Sequence, residues 1–112
     1  MFTMTEVTGY PGGECYLIQT AHSAVLCDTG YGFSGESTVK KLKEVLGQQP
    51  LDVVLLTHSH YDHALGAIAV KKAFPMCRII ASAEAARIFS REGARKEMYR
   101  LDRLAAQDAG QT

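Results

Sequence analysis

This sequence predicts an α/β fold built in layers, and three observations predict it. Three β-rich runs open the chain, the apolar residues switch to helical spacing at Glu36, and an unbroken apolar run follows the first helix. The first run, Phe2 to Thr8, alternates loosely and ends at the turn Gly9-Tyr10-Pro11-Gly12-Gly13. Cys15 to Thr20 and Ser23 to Cys27 then read as two strands joined at Ala21-His22, with Asp28-Thr29-Gly30 closing the second. His22 is expected to be a solvent-facing residue of that hairpin turn. Gly30, Gly32 and Gly35 mark the next stretch as a loop.

From Glu36 onward Val39, Leu42, Val45 and Leu46 recur at helical spacing with lysines between them; Gly47 is placed to cap this helix and Pro50 to stop it. The run DVVLLT, residues 52–57, has no polar alternation, as suits a strand expecting cover on both faces. Asp62 to Phe74 reads as a second helix, N-capped by Asp62 and ended by Pro75, with Leu65, Ile68, Ala69 and Lys72 on one side. A short strand, Arg78 to Ala81, and a third helix, Ala83 to Ser90, follow. From Arg91 the chain is helix-permissive but charged, with a thin apolar stripe at Ala94, Met98, Leu101 and Ala105. The order is β-β-β-α-β-α-β-α, within one domain spanning residues 1–112.

Composition narrows the class. Of 112 residues 46% are apolar, enough for a packed core. Twelve basic side chains balance twelve acidic ones, so no nucleic-acid or membrane partner is expected. The cations between Arg87 and Arg103 read as a solvated helix face. Three widely spaced cysteines form neither a metal-binding pair nor a disulfide framework; Cys15 and Cys27 read as small buried hydrophobes. The opening residues lack the features of a signal peptide and no window is long enough to span a membrane, so a cytoplasmic location is expected.

The chemistry is concentrated in LLTHSHYDHALGA, residues 55–67, which holds three of the four histidines. Histidines at i and i+2 beyond a strand project to one side, so His58 and His60 can converge on a point. Asp62 and His63, at the start of a helix, can serve a second point beside the first. Neutral imidazole and carboxylate suit zinc, and also iron or manganese. A lone HxH pair is often a surface accident, but four donors of ligand type at one strand-to-helix junction point to metal.

THSHYDHALG resembles the HxHxDH signature of the metallo-β-lactamase superfamily, including its leading Thr57 and trailing Gly66. ECYLIQTAHSAVLCDTG resembles that family's early hairpin with its Asp-x-Gly turn, and ASAEAARIF the strand and helix after the motif. The resemblance covers nearly the whole chain but only the first half of the family's domain. It implies the N-terminal half of an αββα sandwich: one mixed sheet with helices on one face. It also implies two zinc ions, with iron or manganese as alternatives. His58 and His60 would bind the first, and Asp62 and His63 the second. Asp62 would also be the catalytic residue handling the proton of the nucleophilic water. Asp28 would orient ligands from beneath the site, although a turn aspartate capping nearby amides is an equal reading of that residue.

The implied reaction is attack by a metal-bound hydroxide on an ester, thioester, lactam or phosphodiester of a small-molecule substrate. The likeness leans toward the thioesterase-like, glyoxalase II-type branch. No histidine follows His63, and neither Asp102 nor Asp108 is identifiable as a ligand bridging two metals. The chain by itself is therefore expected to be weakly active or inactive, its activity belonging to a longer parent. Half a sandwich also leaves one sheet face bare, which predicts a homodimer packed through that face. The competing reading is a non-enzymatic, self-associating metal-binding module. An amidohydrolase-type enzyme, which also places HxH after a strand, needs a barrel of roughly 250 residues.

Overall fold

The computed structural model describes residues 1–57 and 64–110. Strands β1 (Thr3–Glu6), β2 (Tyr16–Gln19) and β3 (Ala24–Cys27) form an antiparallel meander, which β4 (Val53–Leu56) and β5 (Arg78–Ala81) extend in parallel. The strand order is simply β1-β2-β3-β4-β5. Parallel neighbours need a crossover, and the helices supply it. Helix α1 (Gly35–Leu46) lies between β3 and β4, and α2 (Ala67–Ala73) between β4 and β5. Helices α3 (Ala83–Phe89) and α4 (Glu92–Asp108) follow the last strand.

Helix α1 buries Gly35, Thr38, Leu42 and Leu46, one stripe at intervals of three or four residues, while its lysines stay toward solvent. Gly47 ends it at φ +58°, a left-handed conformation that glycine adopts without steric cost, and its N–H returns to the Lys43 carbonyl. Ser82 caps α3, its hydroxyl accepting the Ala85 N–H at 3.0 Å.

Cross-strand register sorts the side chains into two faces. Leu17, Leu26, Val54 and Ile79 form one row across four strands. The first three are fully buried and share a cluster with Leu42 and Leu46 of α1, Val70 of α2 and Met98 of α4. The opposite face carries the rows Met4-Ile18-Val25-Val53 and Tyr16-Cys27-Leu55-Ile80. It is mostly apolar and open: Met4 is 63% exposed, Ile80 42%, and Leu55 38%. Among the described residues the sheet is thus covered by helices on one side and bare on the other, in keeping with the half-sandwich expectation.

Two expectations about burial need correction. The second helix, seen from Ala67 to Ala73 with its expected N-cap, Asp62, outside the described residues, is the first. Val70 is its fully buried residue, whereas Ile68 and Lys72 face solvent. The cause is close approach to α1, because a Cβ on Gly35 would stand 2.7 Å from the Ala69 Cβ, which fixes the rotation of α2. Cys27 is half-buried on the open face, while Cys15 and Cys77 are buried. The charged C-terminal stretch forms a helix of 17 residues, and its stripe of Ala94, Met98, Leu101 and Ala105 is its less exposed side. Among the described residues no helix is long and apolar enough to cross a membrane.

Candidate metal centre

The turn after β3 organises the site region. Asp28 follows the carboxyl end of β3, and Thr57 follows the carboxyl end of its parallel neighbour β4. Crevices beyond the carboxyl ends of parallel strands are the usual ligand sites of α/β sheets. Asp28 is the one described non-glycine residue with positive φ, +63°, a conformation aspartate tolerates better than most side chains. Its own N–H donates to the Leu55 carbonyl at 2.8 Å, continuing the ladder one step past the strand.

The Asp28 carboxylate is largely buried and turned onto Thr57. Oδ1 accepts the Thr57 N–H at 2.8 Å, and the Thr57 hydroxyl lies 3.0 and 2.8 Å from the two carboxylate oxygens. Two residues on, the same turn engages the chain again: the Gly66 N–H donates to the Gly30 carbonyl at 3.0 Å. Gly66 lies so close that a Cβ there would stand 1.9 Å from the Thr29 carbonyl oxygen. One three-residue turn therefore holds Thr57 and Gly66, on either side of the histidine motif. Gly30 in turn has φ +75°, and a Cβ on it would meet the Gly13 carbonyl at 2.9 Å.

Of the residues the sequence singled out, Asp28 is placed as described and His22 is exposed at the β2–β3 hairpin. His58, His60, Asp62 and His63 lie outside the described residues. Among the described residues no group of three or more His, Cys, Asp or Glu could hold a metal ion. The donor set of the motif, three imidazoles and a carboxylate, matches what zinc, iron or manganese takes, and its two flanks are fixed to the turn that carries Asp28. On those two grounds the residues present fit a metal.

Two features next to the turn escaped the sequence reading. Asp102, on α4, accepts the Gly32 N–H at 2.7 Å and so ties the loop after the turn to a helix seventy residues away. Burial raises the pKa of this carboxyl, opposed by the amides of Gly32 and Phe33. A contact so distant in sequence leaves no local signal. The second feature is an aromatic trio: Tyr31 stacks on Phe33 with centroids 4.7 Å apart, and Tyr10 meets both rings edge-on. The Cys15 thiol lies buried behind this loop. Burial pushes it up to about 12, and it donates to the Gly13 carbonyl.

Comparison with known proteins agrees with this architecture. The sequence pattern of the metallo-β-lactamase superfamily matches residues 9–110. The chain belongs to the metallo-β-lactamase superfamily. It is 40% identical over 57 residues to the lactamase-like protein aptB of Emericella nidulans, a match covering 49% of this chain and 18% of that protein. It is 33% identical over 63 residues to a probable metallo-hydrolase of Streptococcus pyogenes serotype M6, covering 56% of this chain and 25% of that protein.

Among solved structures, a metallo-β-lactamase of Cronobacter sakazakii, in a mutant form, superposes with a TM-score of 0.67 at 27% identity, over 79% of this chain and 34% of that one. The subclass B3 enzyme MEM-A1, from a soil metagenome library, gives 0.66 at 20% identity, over 76% and 32%, and shows likeness of fold alone. These matches span about a third of the solved structures and a quarter or less of the curated relatives.

Proposed function

We propose that this chain provides the first metal-binding half of a metal-dependent hydrolase. His58 and His60 hold one ion, Asp62 and His63 hold a second, and Asp28 sets the geometry from behind. The observation that carries this reading is the double anchorage of the motif's flanks, Thr57 on Asp28 and Gly66 on Gly30. Ligands on a segment fixed at both ends lose little entropy on binding, which favours a preorganised site. Bound there, zinc, or iron or manganese in its place, would supply Lewis acidity and an activated water, and Asp62 would be the residue to accept a proton from it. Asp28, through Thr57, fixes where β4 releases the chain toward His58. Tyr31 and Phe33, three and five residues beyond Asp28, offer aromatic surface to a small substrate with an ester, thioester, lactam or phosphodiester bond.

The test is metal content per chain by elemental analysis after purification without chelator, for the natural sequence and for His60→Ala. Near-stoichiometric zinc, iron or manganese, lost in the variant, is expected; no metal in either protein sinks the reading. A second reading, a metal-binding module without catalysis, rests on the motif itself, which offers each of two ions only two ligands. Hydrolysis of a generic thioester or phosphodiester, abolished by Asp62→Ala, decides against it.

The open sheet face supports self-association, two copies packing Met4, Tyr16, Leu55 and Ile80 against each other. A dimer by light scattering at micromolar concentration, converted to monomer by Leu55→Lys, is the expected result. A monomeric natural chain refutes it.

A further inference from the structure

On the helical side of the sheet an open hollow of about 240 Å³ lies between β4, β5, α2, α3 and α4. Its base is formed by the buried side chains of Leu56, Leu65 and Met98. Its mouth is apolar as well: Ile68 of α2 is 61% exposed and Ile79 of β5 42%, with the ring of Tyr99 beside them. Single exposed apolar residues are ordinary, but several rimming a concave apolar hollow are the mark of a ligand site.

One cation borders this hollow. Arg95 lines it, and its Nη1 donates to the Phe89 carbonyl at 2.7 Å, which holds the guanidinium at the edge of the cavity. Arginine carries five N–H donors in a planar fork, so one bond to a carbonyl leaves enough for a carboxylate. The acids nearest it on α4 are engaged elsewhere: Glu92 pairs with Lys96 and Glu97 with Arg100. Among the described residues no carboxylate lines the cavity or pairs with Arg95. The hollow continues past Ile68 and Ile79 into a second one bordered by Lys71 and Lys72, so positive charge lies along its length. Lys71 and Lys72 border only that neighbouring hollow, and Lys71 donates to the Cys77 carbonyl; Arg95 is the cation that lines the first hollow itself and still has free N–H donors for a head group.

We infer that this cavity binds a small anionic amphiphile, a carboxylate on a short acyl chain. The carboxylate pairs with Arg95 and the chain lies over Leu65 and Met98 between Ile68 and Ile79. The volume is just under the roughly 300–1,000 Å³ of pockets that enclose drug-sized ligands, which suits a short chain and not a long one. None of the four motif residues is needed to form this hollow, so the titration with chelator-treated protein separates it from the hydrolase reading.

The experiment is titration of the 112-residue chain, with and without prior chelator treatment, followed by the methyl resonances of Ile68, Ile79 and Met98. The probes are octanoate, octanol and octyltrimethylammonium. Octanoate is expected to shift those methyls saturably and to bind about tenfold more tightly than octanol, the difference one charge-assisted pairing makes. The ammonium should bind most weakly. Arg95→Gln should bring octanoate down to the level of octanol and leave octanol unchanged. Ile68→Glu, at a position 61% exposed, should weaken both while circular dichroism shows the fold retained. Equal binding of octanoate and octanol, an unaffected Arg95→Gln, or shifts spread over the open sheet face would overturn the inference. So would methyl shifts that change with protein concentration in the absence of probe, since the occupant would then be a second copy of the chain.

Discussion

Replacing Gly66 by alanine tests whether the turn at 28–30 really clamps the segment beyond the motif. The new Cβ would stand 1.9 Å from the Thr29 carbonyl oxygen and 2.8 Å from its carbon, both backbone atoms of a buried residue. Neither can rotate away, so the turn or the start of the helical segment must retreat by roughly 1.5 Å to reach ordinary contact. Overpacking of this kind costs about 1–3 kcal/mol, and the retreat would also strain or break the Gly66-to-Gly30 hydrogen bond, worth about 0.5–1.5 kcal/mol. The expected loss is about 2–4 kcal/mol in urea denaturation followed by circular dichroism, with the m-value unchanged.

Gly93 provides the control. It lies within α4, and nothing is within 4 Å of where its Cβ would be, so Gly93→Ala should gain about 0.5–1 kcal/mol from helix propensity alone. A Gly66→Ala protein within about 0.5 kcal/mol of the natural chain would refute the clamp. It would also remove the main support for a preorganised metal site.

Asp28→Asn keeps a side chain that tolerates φ +63° but removes the charge behind Thr57, so metal affinity should fall about 10- to 100-fold with little change in unfolding free energy. Isothermal titration with zinc reads this, and unchanged affinity would leave Asp28 a turn residue only. Gly35→Ala should destabilise by about 1–3 kcal/mol, and the double variant Gly35→Ala with Ala69→Gly should recover most of it, since the clash is between those two Cβ positions. Leu26→Ala, fully buried in the middle strand, should cost about 2–5 kcal/mol by urea denaturation.

Asp102 gives a pH signature. Its folded pKa is raised by burial, so its contribution favours folding below the ordinary value of 3.8 and is lost as pH rises through the folded value. Asp102→Asn should therefore gain stability relative to the natural chain as pH climbs across that window. Asp102→Ala, which also frees the Gly32 N–H, should lose about 0.5–1.5 kcal/mol at neutral pH.

What could be read from the sequence was whatever depends on neighbours. The stripe Leu42–Leu46, Gly47 as its stop and the apolar run 53–56 each reflect a period or a local preference, and each lies where expected. The rotation of α2 did not follow from its own apolar pattern, because Gly35, more than thirty residues earlier, decides which side Ala69 presents. Cys27 looked like a core residue because a strand that will be half-bare carries the same apolar letters as one that is covered. The four candidate ligands were the plainest signal in the chain, since HxHxDH is local in sequence. Their support was not, for Asp28 meets Thr57 only through the parallel pairing of β3 with β4.

By itself, then, the sequence determined the succession of strands and helices, the donor set at 58–63 and the likeness to one family, all carried by residues close together in the chain. Only the tertiary structure decided that one turn grips both flanks of that motif, that Asp102 holds the loop beside it, and that Arg95 borders an apolar hollow. Those arrangements join residues separated by tens of positions, and packing distance, which no local pattern encodes, is the quantity that brings them together.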